Sequence, residues 1–353
     1  MKTLRFGALI LVAGLAGSAF AATPELPKSE VDRLVGAFLP ACPDPVTVTT
    51  QPLQVDLSPG LRATIIRIES ENPWCQNQAL ALGTSQKTYF VGSPWIMTGM
   101  TGTPAAKIKQ FAWGRLQASV DPAVGQPRKD GLLPVTMTEK TPFGPVTYEG
   151  AVDAAGTIFL PGEVRTLDGS LASGRLGRLE SVAAKAPTRG SGKIRVYEFS
   201  DFECPSCAYA QVYADAIAKE FGDRVKYVRI DLPLLSSHPW AFPAAVYGRA
   251  IWNQSPEAFW DYKRDVYASQ ESLDTFSLED FARGFVRDRK LNVEKFNNDI
   301  QSVALRNEIL DGVSATRSLQ INGTPTFLVD GVNVVPGDNG SNLLKHIREK
   351  VGK

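Results

Sequence analysis

The part of this 353-residue sequence best suited to chemistry is the run Cys-Pro-Ser-Cys at residues 204–207. A β-type run, Ile194 to Phe199, precedes it and an amphipathic helical pattern follows it, so the two cysteines lie where a helix begins. Unpaired N–H groups and the helix dipole at such a position favour a thiolate. We expect them to lower the pKa of Cys204, the more exposed sulfur, below its usual value of about 8.5. Cys207 lies one turn further on, where it can form a disulfide with Cys204 and attack a mixed disulfide at that sulfur.

The same spacing also supplies half of a structural zinc site. Such a site needs two further ligands, and the remaining cysteines and histidines form no second close pair in the sequence: Cys42, Cys75, His238 and His346. A purely structural disulfide between Cys204 and Cys207 is the other alternative. We expect a redox-active disulfide that uses neither a metal nor an organic cofactor.

A second feature lies downstream, where Thr324-Pro325 precedes a β-type run that extends from Thr326 to Asp330. Proline donates no backbone hydrogen bond, so it is tolerated at the entrance of a strand and disfavoured within one. A cis Thr324-Pro325 bond would explain the arrangement. A trans proline at an ordinary strand start is the alternative.

With the Cys-Pro-Ser-Cys run before a helix and Thr-Pro before a strand, the chain resembles the thioredoxin superfamily. More than a hundred residues of helical character separate Cys207 from Thr324. In this respect the chain resembles the DsbA-like thiol:disulfide oxidoreductases, in which a helical domain is inserted into a thioredoxin fold. The resemblance covers about residues 187–352 and implies an insert at about 240–319. It also implies that Thr324 and Pro325 hold the backbone of a substrate beside Cys204.

Glu198, six residues before Cys204, matches the buried glutamate of that family, which implies a role in proton transfer to and from the buried thiol. Its alternative is a half-exposed carboxylate, because alternation along the strand does not fix which face it occupies. Ser206 departs from the family, since many oxidising members have histidine there. A hydroxyl without charge stabilises a thiolate less, so we expect a less strongly oxidising disulfide.

Residues 1–21 have the pattern of a cleaved secretory signal peptide, with Lys2 and Arg5 before an apolar run from Phe6 to Ala16 and a small-residue cleavage site ending at Ala21. The apolar run is short for a membrane-spanning helix, although an uncleaved anchor is the alternative. We therefore expect export to the periplasm or another oxidising compartment. The net charge of +1 gives no indication of nucleic-acid binding.

The remaining pattern predicts an α+β N-terminal domain at 24–180, a linker at 181–193 and an α/β thioredoxin-like domain at 194–353. The N-terminal domain begins with a helical pattern and continues with short strands at 46–50, 61–68, 88–91 and 135–138 and a hairpin of 147–152 with 157–160. In the thioredoxin-like domain, one helix is expected from the cysteines to Gly222, with this apolar face: Tyr209, Val212, Tyr213, Ala216, Ile217 and Phe221.

Cys42 and Cys75 belong to the N-terminal domain. An oxidising compartment favours a structural disulfide between them. A second redox relay is the alternative, but neither cysteine has the close partner in sequence that a dithiol catalyst uses. His238, in a loop before a helix that begins near Ala241, is a weaker candidate for a general base, because thiol–disulfide exchange does not require one.

These features predict an exported protein thiol:disulfide oxidoreductase that acts on cysteine-containing envelope proteins and is recycled by a membrane or soluble redox partner. One alternative is a disulfide isomerase or reductase of the DsbC or DsbG type, as a homodimer paired through the N-terminal domain. Another is a non-catalytic binding protein built on a thioredoxin fold. The direction of exchange does not follow from the sequence.

Overall fold

A computed structural model describes residues 23–38, 40–166 and 171–352. The predicted signal peptide, residues 1–21, lies outside the described residues. The chain divides into two compact units. The first contains the described parts of residues 1–39, 44–139 and 148–169, and the second contains residues 40–43, 140–147 and those from 170 onward.

The first unit contains one β-sheet and most of a second, in which the end of β7 and the start of β8 (140–147) belong to the second unit. Its first sheet has the order β1-β2-β3-β4-β10, and its second has the order β5-β9-β8-β7-β6. The elements are α1 (Lys28–Phe38), β1 (Thr47–Pro52), β2 (Arg62–Glu69), β3 (Asn77–Gly83), β4 (Thr88–Gly92), β5 (Trp95–Ile96), α2 (Pro104–Leu116), β6 (Ser119–Val124), β7 (Leu132–Thr141), β8 (Gly144–Asp153), β9 (Ile158–Pro161) and β10 (Arg165–Thr166).

Both faces of the first sheet are buried, which explains why consecutive residues in the middle of β2 (Ala63–Ile66) and at the end of β3 (Ala79–Gly83) are buried. On one face, Leu34 of α1 packs with Ile66 and other apolar side chains. On the other face, Phe90 packs with Leu132 and Leu160 of the second sheet. The alternation of apolar and polar residues along these strands is therefore weak, and the sequence of β3 did not indicate a strand.

The second unit is built on a mixed sheet with the order β11-β13-β12-β14-β15. β12 pairs in parallel with β13 and antiparallel with β14. Its elements are α3 (Leu171–Ala183), β11 (Thr188–Arg189), β12 (Ile194–Ser200), α4 (Pro205–Tyr209), α5 (Gln211–Phe221), β13 (Val225–Asp231), α6 (Ala241–Trp252), α7 (Pro256–Ala268), α8 (Leu278–Asp288), α9 (Val293–Gln301), α10 (Val303–Ser318), β14 (Thr326–Val329), β15 (Val332–Asn333) and α11 (Ser341–Val351).

This sheet has a parallel βαβ unit, β12-α4/α5-β13, and an antiparallel ββα unit, β14-β15-α11, which together make a thioredoxin-like fold with mixed α/β content, as the sequence predicted. The helices α6 to α10 lie between β13 and β14 in the chain. No helix among residues 23–38, 40–166 and 171–352 combines the length and apolar character needed to cross a membrane.

The segment 181–193, interpreted from its composition as a linker, is largely structured. It contains the end of α3 and the edge strand β11, which pairs antiparallel with β13. Ala183 and Ala186 are buried, and the carbonyl of Pro187 accepts a hydrogen bond from the Arg229 N–H. Small side chains that suggested flexibility instead allow close packing.

The helix expected after the cysteines is two helices, α4 and α5, that meet at Ala210. Its ψ of −5° departs from the helical value near −42° and redirects the chain. The predicted apolar face is therefore wrong at its first two members, since Tyr209 is 63% exposed and Val212 is 56% exposed. Tyr213, Ile217 and the other members further along belong to α5.

Candidate redox site

Cys204 lies directly before α4, and Cys207 lies within that helix. The backbone N–H of Cys207 donates to the carbonyl of Cys204 at 3.0 Å. Cys204 is 7% exposed and Cys207 is fully buried, and both are free thiols. The two sulfurs therefore differ in access, with Cys204 the more exposed of the two, as expected.

The two thiols also differ in acidity. A hydrogen bond from the Cys207 side chain lowers the pKa of Cys204 to about 6, against the opposing effect of burial. Burial raises the pKa of Cys207 well above its ordinary value, and the neighbouring Cys204 adds to this effect. The stable reduced state is therefore a Cys204 thiolate beside a neutral Cys207 thiol.

The Thr324-Pro325 peptide bond is cis, which confirms the prediction for this loop. The carbonyl oxygen of Thr324 lies 3.5 Å from the Cys204 Sγ. The register of the sheet explains the proximity, because Phe199 near the end of β12 pairs with Thr326 at the start of β14. The fold thus brings together the two motifs that the sequence singled out.

Glu198 is fully buried on β12, so the half-exposed alternative does not apply. Its Oε2 lies 2.6 Å from the Lys263 Nζ and accepts a short hydrogen bond from the Tyr227 hydroxyl. Burial acts to raise the pKa of Glu198, but the positive charges of Lys263 and Arg229 outweigh it and lower the pKa. Glu198 is therefore an ionised carboxylate in the interior.

Two hydroxyl groups next to Cys207 were not identified from the sequence. The Ser200 hydroxyl forms a hydrogen bond that acts to lower the pKa of Cys207, and its Oγ lies 2.7 Å from the Tyr267 hydroxyl. The Tyr267 hydroxyl also donates to the Asp201 carbonyl oxygen at 3.3 Å. The position of Ser200 at the end of β12 was a usable signal, whereas nothing in the sequence indicated Tyr267, which comes from α7.

Arg229 and its neighbours extend this buried polar cluster. Arg229 forms an ion pair with Asp231, and the Arg249 Nε lies 2.7 Å from the Asp231 Oδ2. The Arg229 guanidinium also lies 4.0 Å from the centroid of the Phe202 ring. The cluster therefore contains several buried ion pairs, whose electrostatic fields are weakly screened in the protein interior.

Asp201, in the loop between β12 and Cys204, connects two loops by hydrogen bonds. This buried carboxylate accepts hydrogen bonds from the N–H of Glu203 at 2.7 Å, from the N–H of Leu234 at 2.8 Å and from the Nδ1 of His238 at 2.7 Å. The hydrogen bond to Asp201 raises the pKa of His238. The structure therefore places His238 at the redox site, although its loop position had made it only a weak candidate for a general base.

Cys42 and Cys75 are both disulfide-bonded, in contrast to Cys204 and Cys207. Within residues 23–38, 40–166 and 171–352, no group of three or more histidine, cysteine, aspartate or glutamate side chains is arranged to hold a metal ion.

The fold and the paired thiols define a thioredoxin-like redox domain. Residues 189–348 match the family model described as Thioredoxin. This part of the chain is therefore a thioredoxin-like domain with homology to disulfide bond formation protein D.

Two curated relatives illustrate the match. One is Na(+)/H(+) antiporter NhaA 1 of Mycolicibacterium vanbaalenii, 30% identical over 41% of this chain and 23% of that protein. The other is "Probable disulfide bond formation protein D" of Bacillus anthracis, 26% identical over 39% of this chain and 65% of that protein. The chain thus spans less than two thirds of the length of either relative. Among solved structures, oxidised BdbD from Bacillus subtilis is similar, with 18% identity, a TM-score of 0.43 and coverage of 48% of this chain and 95% of that one.

Proposed function

We propose that the protein is an exported thiol:disulfide oxidoreductase that exchanges disulfides with cysteine-containing substrate proteins through Cys204 and Cys207. The observation that supports the proposal is the difference in acidity and solvent access between the two thiols. Cys204 has a lowered pKa and lies beside a cis-proline loop, whereas Cys207 is buried and stays protonated. A structural disulfide would have no use for this difference in acidity.

In the oxidising direction, a substrate thiolate attacks the Cys204 Sγ of the Cys204–Cys207 disulfide. The intramolecular S–S bond breaks, Cys207 leaves and takes up a proton, and a mixed disulfide forms at Cys204. A second substrate thiolate attacks the substrate sulfur of that bond, and Cys204 leaves as a thiolate. The substrate loses two electrons and the cysteine pair gains them. The low pKa of Cys204 favours the second step, because a more acidic thiol is a better leaving group.

The proton of Cys207 needs a route, since this thiol has no contact with solvent. We assign the route to the hydroxyls of Ser200 and Tyr267 and the ionised Glu198. The Lys263 ammonium, paired with Glu198, lies 5.8 Å from the centroid of the Tyr267 ring. The Glu198 Oε1 is buried and makes no hydrogen bond within the described part of the chain, so it is available to a water or a transferred proton.

Thr324 and Pro325 are proposed to hold the substrate backbone beside Cys204, since the Thr324 carbonyl already contacts its sulfur. Cys42 and Cys75 are proposed to form a structural disulfide with each other, a role that fits their bonded state. Export to the periplasm, a separate redox partner and a homodimer paired through the first unit remain predictions.

Turnover assays test the proposal. The mature chain is expected to catalyse insulin reduction and the refolding of scrambled ribonuclease. Cys204→Ser should abolish both activities, and the matched control Cys42→Ser/Cys75→Ser should retain them. Retention of activity in Cys204→Ser would refute the mechanism. If the wild-type protein has no turnover, and if it and Cys204→Ser bind an envelope protein with the same affinity, the binding-protein alternative is correct.

The direction of exchange needs a separate measurement. Cells are lysed directly into a thiol-blocking reagent, and the redox state of Cys204 is compared with the mass in solution from light scattering. An oxidised monomer is the result expected for an oxidase. A reduced dimer would favour an isomerase instead, because an isomerase must keep its attacking thiol free.

A further inference from the structure

Two loops that begin at the same edge of the sheet are connected by hydrogen bonds beside the redox site. The loop after β12 contains Asp201 and Glu203, and the loop after β13 contains Leu234, His238 and Trp240. Asp201 accepts hydrogen bonds from Leu234 and His238, and the Glu203 Oε2 accepts one from the Trp240 N–H at 2.8 Å. Since β12 and β13 are parallel, their carboxyl ends coincide, and this pairing of loops follows from the topology.

The loop after β12 also leads directly into Cys204, whose N–H donates to the Asp201 carbonyl at 3.4 Å. The negative charge of Asp201 acts to raise the pKa of Cys204. The charged and titratable groups that in turn raise the pKa of His238 are Asp201, Glu203 and Cys204. Asp201, His238 and Cys204 therefore form a set of three charges that influence one another.

The Asp201 side chain is fully buried, so its charge is weakly screened by solvent. Its hydrogen bond to Nδ1 fixes the orientation of the His238 ring and leaves Nε2 as the atom that gains or loses the proton. The His238 side chain is 20% exposed, so that proton can exchange with water. The arrangement couples a buried carboxylate to solvent protons through one imidazole.

We propose that His238 is a positioning residue for the reactive thiolate: its imidazolium, oriented by Asp201, cancels a carboxylate charge that would otherwise oppose the negative charge on Cys204. The uncharged Ser206 between the cysteines contributes no such charge, and His238 supplies it from a loop distant in sequence. The effect of His238 on catalysis rests on the proposed thiol:disulfide exchange at Cys204.

The unmodified protein provides the first test. It contains two histidines, so the NMR titration of both rings is resolvable in the full mature chain. Coupling between two sites is reciprocal, so loss of the Cys204 thiolate on oxidation must lower the pKa of His238. We expect a fall of about half a unit or more for His238 and no change for His346. Identical titration of His238 in the reduced and oxidised proteins would overturn the proposal.

Variants provide the second test, with the titration of Cys204 followed by thiolate absorbance and alkylation rate. His238→Gln is expected to raise the pKa of Cys204 by about one unit, which leaves about tenfold less thiolate at pH values below the midpoint. The matched control is His346→Gln, which should titrate like wild type. A His238→Gln midpoint equal to that of the control would contradict the proposal.

Asp201→Asn separates an electrostatic effect from loosening of the loops. It removes the opposing charge, so it should shift the pKa of Cys204 downward, and the variant carrying both substitutions should titrate close to wild type. Upward shifts in both single variants would indicate loosening and would overturn the proposal. Neither test uses a protein substrate, so a protein with this coupling but without turnover would refute the proposed function alone.

Discussion

The buried ion pair between Glu198 and Lys263 gives the strongest quantitative prediction. Both side chains are fully buried and their charged atoms lie 2.6 Å apart. Burial lowers the pKa of Lys263 to about 8, even with Glu198 next to it. Replacing Lys263 with methionine keeps much of the apolar volume and leaves the Glu198 carboxylate without its principal counter-charge.

The expected cost follows from two quantities. Two unit charges about 4 Å apart attract each other by about 4 kcal/mol at an effective dielectric constant of about 20. Removing one partner of a buried pair costs about 3–5 kcal/mol in measured cases. Arg229 and Tyr227 still support Glu198, so we expect Lys263→Met to lower the free energy of unfolding by about 3 kcal/mol at pH 7.

The cost should depend on pH with a definite sign. In wild type the folded pKa of Glu198 is depressed, so its contribution is present above the unfolded pKa and is lost as the pH falls through the folded value. Without Lys263 the folded pKa of Glu198 rises, and the uncompensated carboxylate then opposes folding increasingly as the pH rises. The deficit of Lys263→Met should therefore be larger at pH 7 than at pH 4.5.

The assay is urea unfolding followed by circular dichroism, with peptide-resolved hydrogen exchange of β12 and α7 to assign the change to the second unit. Lys295→Met is the matched control, because Lys295 and Asp299 are also 2.6 Å apart but are 45% and 21% exposed. That surface pair should contribute less than about 1 kcal/mol. Adding Glu198→Gln to Lys263→Met should restore at least about 1 kcal/mol, because it removes the uncompensated buried charge. A Lys263→Met variant as stable as Lys295→Met would show that the Lys263 charge does not stabilise the buried Glu198 carboxylate.

Three further predictions concern the thiols and the backbone. Cys207→Ser should accumulate a mixed disulfide with substrate at Cys204, detected by non-reducing electrophoresis, whereas Cys204→Ser should form none at Cys207. The depressed folded pKa of Cys204 stabilises the reduced protein above the unfolded pKa, and this contribution is lost as the pH falls through about 6. Since pH 7 lies one pH unit above that value, the stability difference between reduced wild type and Cys204→Ser should grow by about 1–2 kcal/mol from pH 5 to pH 7. Urea titrations measure this difference. A difference that does not change with pH would contradict the lowered pKa of Cys204. A Cβ at Gly192 would lie 2.0 Å from the Arg224 carbonyl oxygen, whereas one at the helical Gly177 would have nothing within 4 Å. Gly192→Ala should therefore lower the melting temperature strongly, and Gly177→Ala should leave it unchanged or raise it slightly; similar values for the two would contradict the packing described for this loop.

The sequence was informative where function depends on local order. The Cys-Pro-Ser-Cys run, the strand before it and the cis Thr324-Pro325 bond were all predicted from neighbouring residues, and β12 extends only one residue beyond its expected end. The break at Ala210 was missed, because the apolar pattern continues through it while the backbone turns. A periodic pattern cannot reveal where two short helices meet.

Contacts between residues far apart in the sequence could not be predicted from local sequence patterns. Glu198 and Lys263 are 65 positions apart, and Ser200 and Tyr267 are 67 apart, so neither pairing leaves a local signal. His238 likewise looked like an ordinary loop residue until the parallel pairing of β12 and β13 placed it against Asp201. The sequence therefore identified the reacting sulfurs, whereas the groups that set their acidity required the fold.

The most direct test of the account is the pH dependence of alkylation of the reduced mature protein, with each cysteine quantified by peptide mass spectrometry. We expect Cys204 to react with a midpoint near pH 6 and Cys207 to remain unmodified up to about pH 9, because burial raises the pKa of its thiol. A Cys204 midpoint at or above the ordinary thiol value of about 8.5, or equal reactivity of the two cysteines, would contradict it.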